Sequence, residues 1–415
     1  MKFFKQYAGL RKELYIIFWG RVVTNMGALI WPMLTLILKN KLGFSAGEAA
    51  NLMLIIGIIQ LPCTLIGGKL ADRFNKKNII VICDLITVVG YILCGILPLN
   101  NLSIVIFAIA GIFAQFEWPS YDALVASLST QEERERAYSL NYLGANLGLV
   151  LAPTLGGLLF ANHLNLAFLI SGLATFSSTV LIFFFIKDTS ESQENSAAGK
   201  YEEVKKDSST KDIFVAAPVL MLFVLCTGIG MSIYTAGFNF LMPLNMENLF
   251  GEHGALLFGT LTSVNALVVI IGTPICTSLL SRIRDTEKLQ IGLTLQISGY
   301  VCFFLGGGKV FIYYLAMVIF TVGEILQTLG QQPYITRRIP SSHRGRISSV
   351  NTVVGMLFQG ICLYSVGHLA DHIGVNSVWI LLITAGVVNI LLLFLLRNLD
   401  KKQFHLLYQT NNPSK

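Results

Sequence analysis

Charged side chains are scarce in this sequence. Asp, Glu, Lys and Arg make up 13% of the 415 residues, whereas hydrophobic residues make up 54%. Soluble domains carry about 25% charged residues, because their surfaces face water. The shortage therefore excludes an ordinary soluble protein. The net charge of +7 does not indicate a nucleic-acid partner either, because the basic residues lie in short clusters between long apolar runs.

Paired cysteines and metal-binding patterns are also lacking. The seven cysteines all lie inside apolar runs without paired spacing, so the sequence predicts neither a disulfide framework nor a cysteine metal site. The six histidines lie in loops or at the ends of runs. His368 and His372 are four positions apart, but a metal site needs a third ligand. We therefore expect no metal and no other cofactor.

Motifs of nucleotide-dependent enzymes are absent as well. The sequence contains no G-x-x-x-x-G-K-[ST] stretch, which ATP-hydrolysing proteins use to hold phosphates. The glycine triplet Gly306–Gly308 ends an apolar run and does not follow a strand, so it is not a dinucleotide loop. The sequence thus predicts a protein that is not an enzyme.

The chain does contain apolar runs of about 20 residues, the length that a helix needs to cross a bilayer. Twelve are predicted, at Leu14–Leu38, 49–70, 78–98, 102–127, 137–160, 165–187, 214–243, 255–280, 288–307, 309–332, 345–368 and 376–397. We predict an all-α integral membrane protein with twelve transmembrane helices. Its expected parts are an N-terminal six-helix bundle (1–187), a cytoplasmic linker (188–212), and a C-terminal six-helix bundle with a cytoplasmic tail (213–415).

The basic residues predict the orientation in the membrane. With a cytoplasmic N-terminus, only Lys39, Lys41 and Lys309 of the 30 lysines and arginines fall in outer loops, and Arg21 falls inside the first run. Positively charged loops stay on the cytoplasmic side. We therefore expect a multi-pass plasma-membrane protein with both termini in the cytoplasm.

The loop between the second and third runs, Gly67–Lys77, combines two glycines, an adjacent acid and arginine, and two final lysines. It resembles the signature G-x-L-A-D-R-x-G-[RK]-[RK] of the major facilitator superfamily. Asn75 stands in place of the last glycine, and asparagine tolerates the left-handed backbone expected there. The resemblance implies the major facilitator fold, in which two pseudo-symmetric six-helix bundles hold substrate between them.

Two internal similarities support related halves. Arg134–Asn141 precedes the fifth run and Arg344–Asn351 precedes the eleventh, with Arg, Arg, Ser and Asn at matching positions. The signature loop itself has only a degenerate counterpart, at Ser281–Asp285.

The fifth run also resembles a family motif. The stretch from 144 to 157 is similar to the antiporter motif G-x-x-x-G-x-x-x-G-P-x-x-G-G, with Ala152 in place of one glycine. The matching residues are Gly144, Gly148, Pro153, Gly156 and Gly157. Small residues at this spacing let helices pack closely and proline introduces a kink, so tight packing without an exchange role is the alternative. The resemblance is to twelve-helix drug:proton antiporters of the LmrP type, which implies export driven by protons.

Two acids inside predicted spans are candidates for proton coupling, Glu117 in the fourth span and Glu324 in the tenth. An ionisable group within the membrane is a functional candidate by default, and a buried carboxyl can take up and release a proton near neutral pH. The alternative is a hydrogen-bonded structural carboxyl. Arg21 can reach Asp122 or Asp84, or extend to the headgroups, and Asp84 is interpreted as an anchor of the third span.

The signature loop predicts a gate. We expect Arg73 or Lys76 to pair with Asp122 near the cytoplasmic face. We expect Asp72 to cap or pair with a helix start in the other half. A permanent ion pair is the alternative. The residues assigned to this gate are Gly68, Asp72, Arg73, Lys76, Lys77 and Asp122.

A cavity for amphipathic or cationic substrates needs apolar walls and a few polar anchors. The candidates are Asn25, Trp31, Tyr234, Phe238, Asn239, Asn265 and Gln327, although such residues also serve helix packing. The predicted function is proton-coupled export of small amphipathic or drug-like molecules by a monomer surrounded by lipid. A sugar or peptide importer, a lipid or glycolipid flippase and a non-transporting sensor are the alternatives.

Overall fold

The computed structural model describes residues 7–129, 133–186, 214–215, 217–280, 282–338 and 341–409. Every regular element in these ranges is a helix, and they contain no strand. The all-α prediction is confirmed.

The first half begins with α1 (Lys12–Met26). Three short helical segments follow it, at Trp31–Met33, Leu34–Leu36 and Ile37–Lys41. It continues with α2 (Ala46–Arg73), α3 (Lys76–Ile96), α4 (Asn101–Leu128), α5 (Arg134–Leu149), α6 (Ala152–Phe160) and α7 (Leu164–Phe185). The fifth span is interrupted between α5 and α6. Pro153 lies in the first turn of α6, where its missing N–H costs nothing.

The second half begins with α8 (Val219–Tyr234), a π-helical segment (Thr235–Leu241), α9 (Met242–Phe250) and a 3-10 turn (Gly251–His253). It continues with α10 (Gly254–Leu279), α11 (Asp285–Leu305), α12 (Val310–Arg338), α13 (Ser341–Ile373), α14 (Val375–Gln403) and α15 (Leu406–Gln409).

Eleven stretches of the described residues are long and apolar enough to cross a membrane. One of them, Val219–Leu279, has 61 residues, about three times the length that one crossing needs. Gly251, with a φ of 55°, divides this stretch in the turn between α9 and α10. It therefore holds the predicted seventh and eighth spans, and the architecture agrees with the expected twelve.

The chain forms two compact units. The first contains the described residues of 1–44, 52–196 and 246–267, and the second contains those of 45–51, 197–245 and 268–415. Two ranges therefore depart from the predicted bundles. Ser45–Asn51 groups with the second unit, and Met246–Leu267 groups with the first. The predicted linker, 188–212, lies outside the described residues, and the division into bundles at 1–187 and 213–415 stays a prediction.

Four helices meet in a buried core of the first unit. Ile17, Ile80, Leu124 and Ile182 come from α1, α3, α4 and α7, and none of these side chains is more than 1% exposed. Within a membrane, such close packing holds helices together, because lipid offers no hydrophobic driving force between them. This core fixes the positions of α1, α3 and α4, which carry the charged residues described below.

The second unit is built around aromatic rings. The ring of Tyr300 lies 5.3 Å from that of Phe320 and 5.2 Å from that of Trp379. All three residues are buried. The helices α11 and α12 approach so closely that a Cβ atom on Gly323 would lie 2.5 Å from the Gly292 carbonyl oxygen.

Large apolar side chains cover the surface of both units. Phe184, Leu279 and Phe311 are 71%, 74% and 77% exposed. Exposed apolar side chains of this number and size suit a lipid environment.

Candidate functional site

Two acidic side chains meet inside the first unit. Asp84 on α3 is buried, and its carboxyl group is hydrogen-bonded to that of Glu117 on α4. The Thr179 hydroxyl on α7 also donates to Asp84 Oδ2, at 2.7 Å. A hydrogen bond between two carboxyl groups needs a proton, because two carboxylates offer only acceptors. The two carboxyl groups therefore lie where one proton could bridge them.

The Arg21 guanidinium of α1 lies beside this pair. Arg21 is 8% exposed, and its Cζ lies 4.2 Å from the ring centre of Trp118 and 4.9 Å from that of Tyr121. It interacts electrostatically with Asp84 and Glu117. Within the described part of the chain, its buried Nε atom has no hydrogen-bond partner. Aromatic faces thus hold a buried cation that keeps an unused donor.

Sequence reasoning selected Glu117 but missed the part played by Asp84. The structure brings them together from two different helices, so no spacing along the chain signals the contact. The available signal was the charge itself, since an acid in a span needs a partner. The coupling role of Glu117 stays a prediction.

Glu324, the other candidate acid, lies on α12 in the second unit and is partly buried. The Tyr234 hydroxyl donates to its Oε1 atom at 3.4 Å. The Tyr234 ring stacks on Phe320, with 5.7 Å between ring centres. A carboxyl beside stacked aromatic rings is a reasonable place for an organic cation.

The signature loop differs in detail from the prediction. Asn75 has a φ of −62° and not the left-handed backbone expected. Its side chain accepts hydrogen bonds from the backbone N–H groups of Lys77 and Asn78, at 2.9 and 3.4 Å. Asparagine therefore serves here as the N-cap of α3, a position that it favours.

The predicted ion pair of Arg73 or Lys76 with Asp122 is not formed among the described residues. The reason is that the Asp122 carboxyl has Arg21 as its charged neighbour. Lys77 instead places its Nζ 5.3 Å from the Phe183 ring centre. The Asp72 side chain lies outside the described residues, so its capping role stays a prediction.

The antiporter motif packs against backbone. Added Cβ atoms on Gly144, Gly148 and Gly156 would lie 3.0, 2.5 and 2.5 Å from the carbonyl oxygens of Phe18, Val22 and Leu29 in the first span. A Cβ on Gly157 would lie 2.5 Å from the Ala255 carbonyl oxygen on α10. The motif therefore provides the tight packing expected of small residues. Its exchange role stays a prediction.

The cavity candidates are distributed over both units. Asn25, Trp31 and Asn265 belong to the first unit, whereas Tyr234, Phe238, Asn239 and Gln327 belong to the second. Asn25 Nδ2 donates to the Arg21 carbonyl at 2.9 Å, and Gln327 Nε2 donates to the Leu289 carbonyl at 2.9 Å. Phe238 is buried, while Asn239 is exposed. Their assignment to a substrate cavity stays a prediction.

A second group of charges was not predicted. In the second unit, Arg338 on α12 binds Asp400 on α14 through two hydrogen bonds of 2.8 and 2.7 Å. Asp400 also accepts from Tyr334 at 2.9 Å, and Arg338 reaches Asp285 at 3.3 Å. Asp285 lies in the degenerate counterpart of the signature loop, so that segment keeps one buried acid. In the sequence, Arg338 and Asp400 lie in the polar ends of two separate spans, so their contact could not be predicted.

Comparison with known proteins agrees with this architecture. A family model described as the Major Facilitator Superfamily matches residues 18–363, well over half of the chain. A Na(+), Li(+), K(+)/H(+) antiporter of Planococcus maritimus is 22% identical over 367 residues, covering 81% of this chain and 84% of its own. Multidrug resistance protein 1 of Bacillus subtilis is 26% identical over 246 residues, covering 58% of each chain.

Quinolone resistance protein NorA of Staphylococcus aureus is 23% identical over 238 residues, covering 55% of this chain and 59% of its own. Among solved structures, a POT family transporter in complex with 5-aminolevulinic acid has a TM-score of 0.78 at 16% identity. The match covers 95% of this chain and 97% of that one, and at this identity it shows the fold alone. With the helical spans and the family match taken together, the chain belongs to the major facilitator superfamily and is a membrane transporter, not an enzyme.

Proposed function

We propose that this transporter exports small amphipathic or drug-like molecules in exchange for protons. The observation that carries the proposal is the hydrogen-bonded pair of Asp84 and Glu117 beside Arg21. Relatives named as multidrug resistance proteins and as a cation/H(+) antiporter also support proton-coupled exchange. The proton gradient is the energy source, and no cofactor takes part.

The charge of this cluster explains how exchange works. With one shared proton the two carboxyls carry a charge of −1, which Arg21 balances. When the proton leaves, the cluster becomes negative and attracts a cation, because charges interact strongly where water is scarce. Proton and cationic substrate therefore compete for the same cluster, which is what exchange requires.

Arg21 makes the deprotonated state accessible. Two carboxylates in contact repel each other, and a nearby cation reduces that cost. The unused Nε donor leaves the guanidinium able to turn toward the pair when the proton departs. Without this cation, the pair would keep its proton and exchange would stop.

The aromatic ring beside Arg21 suits a substrate with a flat apolar body. Trp118, on which Arg21 stacks, is 50% exposed and offers an aromatic face next to the acids. In the second unit, Glu324 and Tyr234 provide another carboxyl beside an aromatic ring. We assign both the proton and the substrate cation to the cluster of Asp84, Glu117 and Arg21, and Glu324 stays a predicted coupling residue of the second unit.

The proposed setting is the plasma membrane, with both termini in the cytoplasm. The distribution of lysine and arginine supports this orientation, since only three of them fall in the outer loops. We expect the transporter to work as a monomer in contact with lipid.

The test uses purified protein in liposomes with an imposed pH gradient and a fluorescent lipophilic cation. We expect gradient-driven accumulation with wild type and at least a tenfold slower rate with Glu117→Gln or Asp84→Asn. Glu252→Gln is the matched control, because Glu252 is an exposed acid in the turn between α9 and α10 and has no part in the pair. Wild-type protein that moves no cation under any gradient would refute drug:proton exchange.

A second candidate function is exchange of alkali cations for protons. The Planococcus maritimus relative, which this chain matches over most of its length, supports it. Adding Na⁺ or K⁺ to the same liposomes and recording proton release distinguishes the two candidates. Peptides and glycolipids in the same assay test the importer and flippase alternatives.

A further inference from the structure

Five residues near the end of α13 repeat the core of the signature loop. Gly367-His368-Leu369-Ala370-Asp371 matches Gly68-Lys69-Leu70-Ala71-Asp72 at four of its five positions. In both copies the acid is followed three residues later by a residue suited to a turn, Asn75 or Gly374. The first copy ends α2, and the second lies at the end of α13.

The second copy contacts the start of α2. The Asp371 carboxylate accepts the backbone N–H of Ala46 at 2.9 Å with one oxygen and that of Gly47 at 2.7 Å with the other. The Ser45 side chain is hydrogen-bonded to the same carboxylate. Helix starts carry unpaired N–H groups and a partial positive charge, which an acid satisfies. The helix α2 thus ends with the first copy of the motif, and its first residues contact the second copy.

The contact leaves no room for larger residues. An added Cβ on Gly367 would lie 2.3 Å from the Ala50 Cβ atom, and one on Gly47 would lie 2.8 Å from His368 Nδ1. The His368 ring also reaches Asn51, with Nε2 3.3 Å from Oδ1. Ala46, Ala49 and Ala50 are buried. The two glycines are therefore needed for this approach.

We propose that the motif at Gly367–Asp371 is a latch that holds Ser45–Asn51 on the end of α13 and releases it during transport. Ser45–Asn51 groups with the second unit, whereas α2 from Leu52 onward groups with the first. Because α2 is divided in this way, any movement of its part from Leu52 onward either releases this segment or bends the helix next to Asn51. Asp371 is exposed, so water competes for its hydrogen bonds and keeps the contact reversible.

The test is hydrogen exchange by mass spectrometry on the full chain in nanodiscs, comparing wild type with Asp371→Ala. We expect exchange to become about tenfold faster both in Ser45–Asn51 and at Tyr364–Asp371, because both sides of the contact open together. Glu48→Ala is the control. Its carboxylate accepts the local Ser45 N–H at 2.9 Å, within the same helix start, so we expect no change at 364–371.

A second variant tests the latch without touching Asp371. Gly367→Ala introduces a methyl group where Ala50 stands, and we expect the same two-sided increase. Faster exchange confined to the Ala46 and Gly47 amides in Asp371→Ala would identify a fixed helix cap and overturn the proposal. An increase spread evenly over the chain, or none in either variant, would also overturn it. The result does not depend on the transported substrate.

Discussion

Each unit contains a buried cluster of opposite charges, and the two clusters are completed differently. In the second unit Arg338 is joined to Asp400 by two hydrogen bonds, and Tyr334 donates to the same acid. In the first unit Arg21 rests on aromatic faces with its Nε unpartnered, while two acids bond to each other.

The difference separates structural from functional charge. A buried ion pair whose hydrogen bonds are complete holds one arrangement, because removing either member leaves an uncompensated charge. The cluster around Arg21 is different. Its two carboxyls can share a proton, and its guanidinium keeps a free donor, so a second arrangement is available. We therefore propose that the cluster around Arg338 stabilises the fold, whereas the cluster around Arg21 takes part in the proposed exchange.

The largest expected effect is on stability, from Asp400→Ala. Asp400 is fully buried and Arg338 would remain buried without its main partner, so the free energy of unfolding should fall by about 3–5 kcal/mol. Denaturation in detergent micelles measures it. Glu252→Ala, which removes an exposed acid, should change stability little. A loss below about 1 kcal/mol would contradict the structural assignment of this cluster.

Arg21→Gln should give the opposite pattern. Proton-driven exchange should fall by about tenfold to a hundredfold, because the pair could no longer lose its proton easily. The free energy of unfolding should fall by only about 2 kcal/mol, because the acids beside Arg21 can take up protons when their cation is removed, whereas Arg338 cannot lose its charge. Transport and denaturation of the same preparation measure both. Unimpaired exchange would remove Arg21 from the mechanism, and Arg21→Lys separates the charge from the shape of the side chain.

Gly148→Ala tests the close packing that supports the first cluster. Its Cβ would lie 2.5 Å from the Val22 carbonyl oxygen, and Val22 follows Arg21 directly in α1. We expect a loss of about 1–3 kcal/mol in unfolding free energy from the forced separation of α5 and α1. Gly68→Ala is the matched control, since nothing lies within 4 Å of its added Cβ. Equal stability of the two variants would show that the helices tolerate more distance than their geometry suggests.

The smallest effect is expected at the edge of the second cluster. Arg397 binds Glu287 at 2.6 Å, but their side chains are 38% and 27% exposed. Water screens such a pair, so Arg397→Ala should cost less than about 1 kcal/mol. Denaturation at low and high salt measures it, and the difference from wild type should shrink with added salt. A loss as large as that of Asp400→Ala would erase the distinction between exposed and buried pairs.

The sequence predicted those parts of the fold that depend on local pattern. Apolar run length gave the spans, and Pro153 marked the break between α5 and α6. Glu117 was found because an acid is conspicuous in a span. Its partner Asp84 was undervalued, since contact between α3 and α4 depends on how helices pack and not on spacing along either one.

The same limit explains the other differences. Arg338 and Asp400 come from the ends of separate spans, and only folding shows that both are buried. Asn75 was expected in a left-handed turn because glycine is usual at that place. The structure uses its side-chain oxygen as a helix cap instead. The sequence therefore identified the residue types that matter, while their partners required the three-dimensional arrangement.

The π-helical segment Thr235–Leu241 has a consequence of its own. A π turn holds one residue more than an α turn, so removing that surplus would rotate everything on one side of it by about 100°. The Tyr300 hydroxyl donates to the Ile233 carbonyl just before the segment, at 3.0 Å, and a Cβ on Gly237 would lie 2.5 Å from the same hydroxyl. Tyr300 therefore contacts the seventh span both just before the π-helical segment and within it. A change of this segment to an α-helix would therefore rotate Asn239 about the helix axis relative to Tyr234.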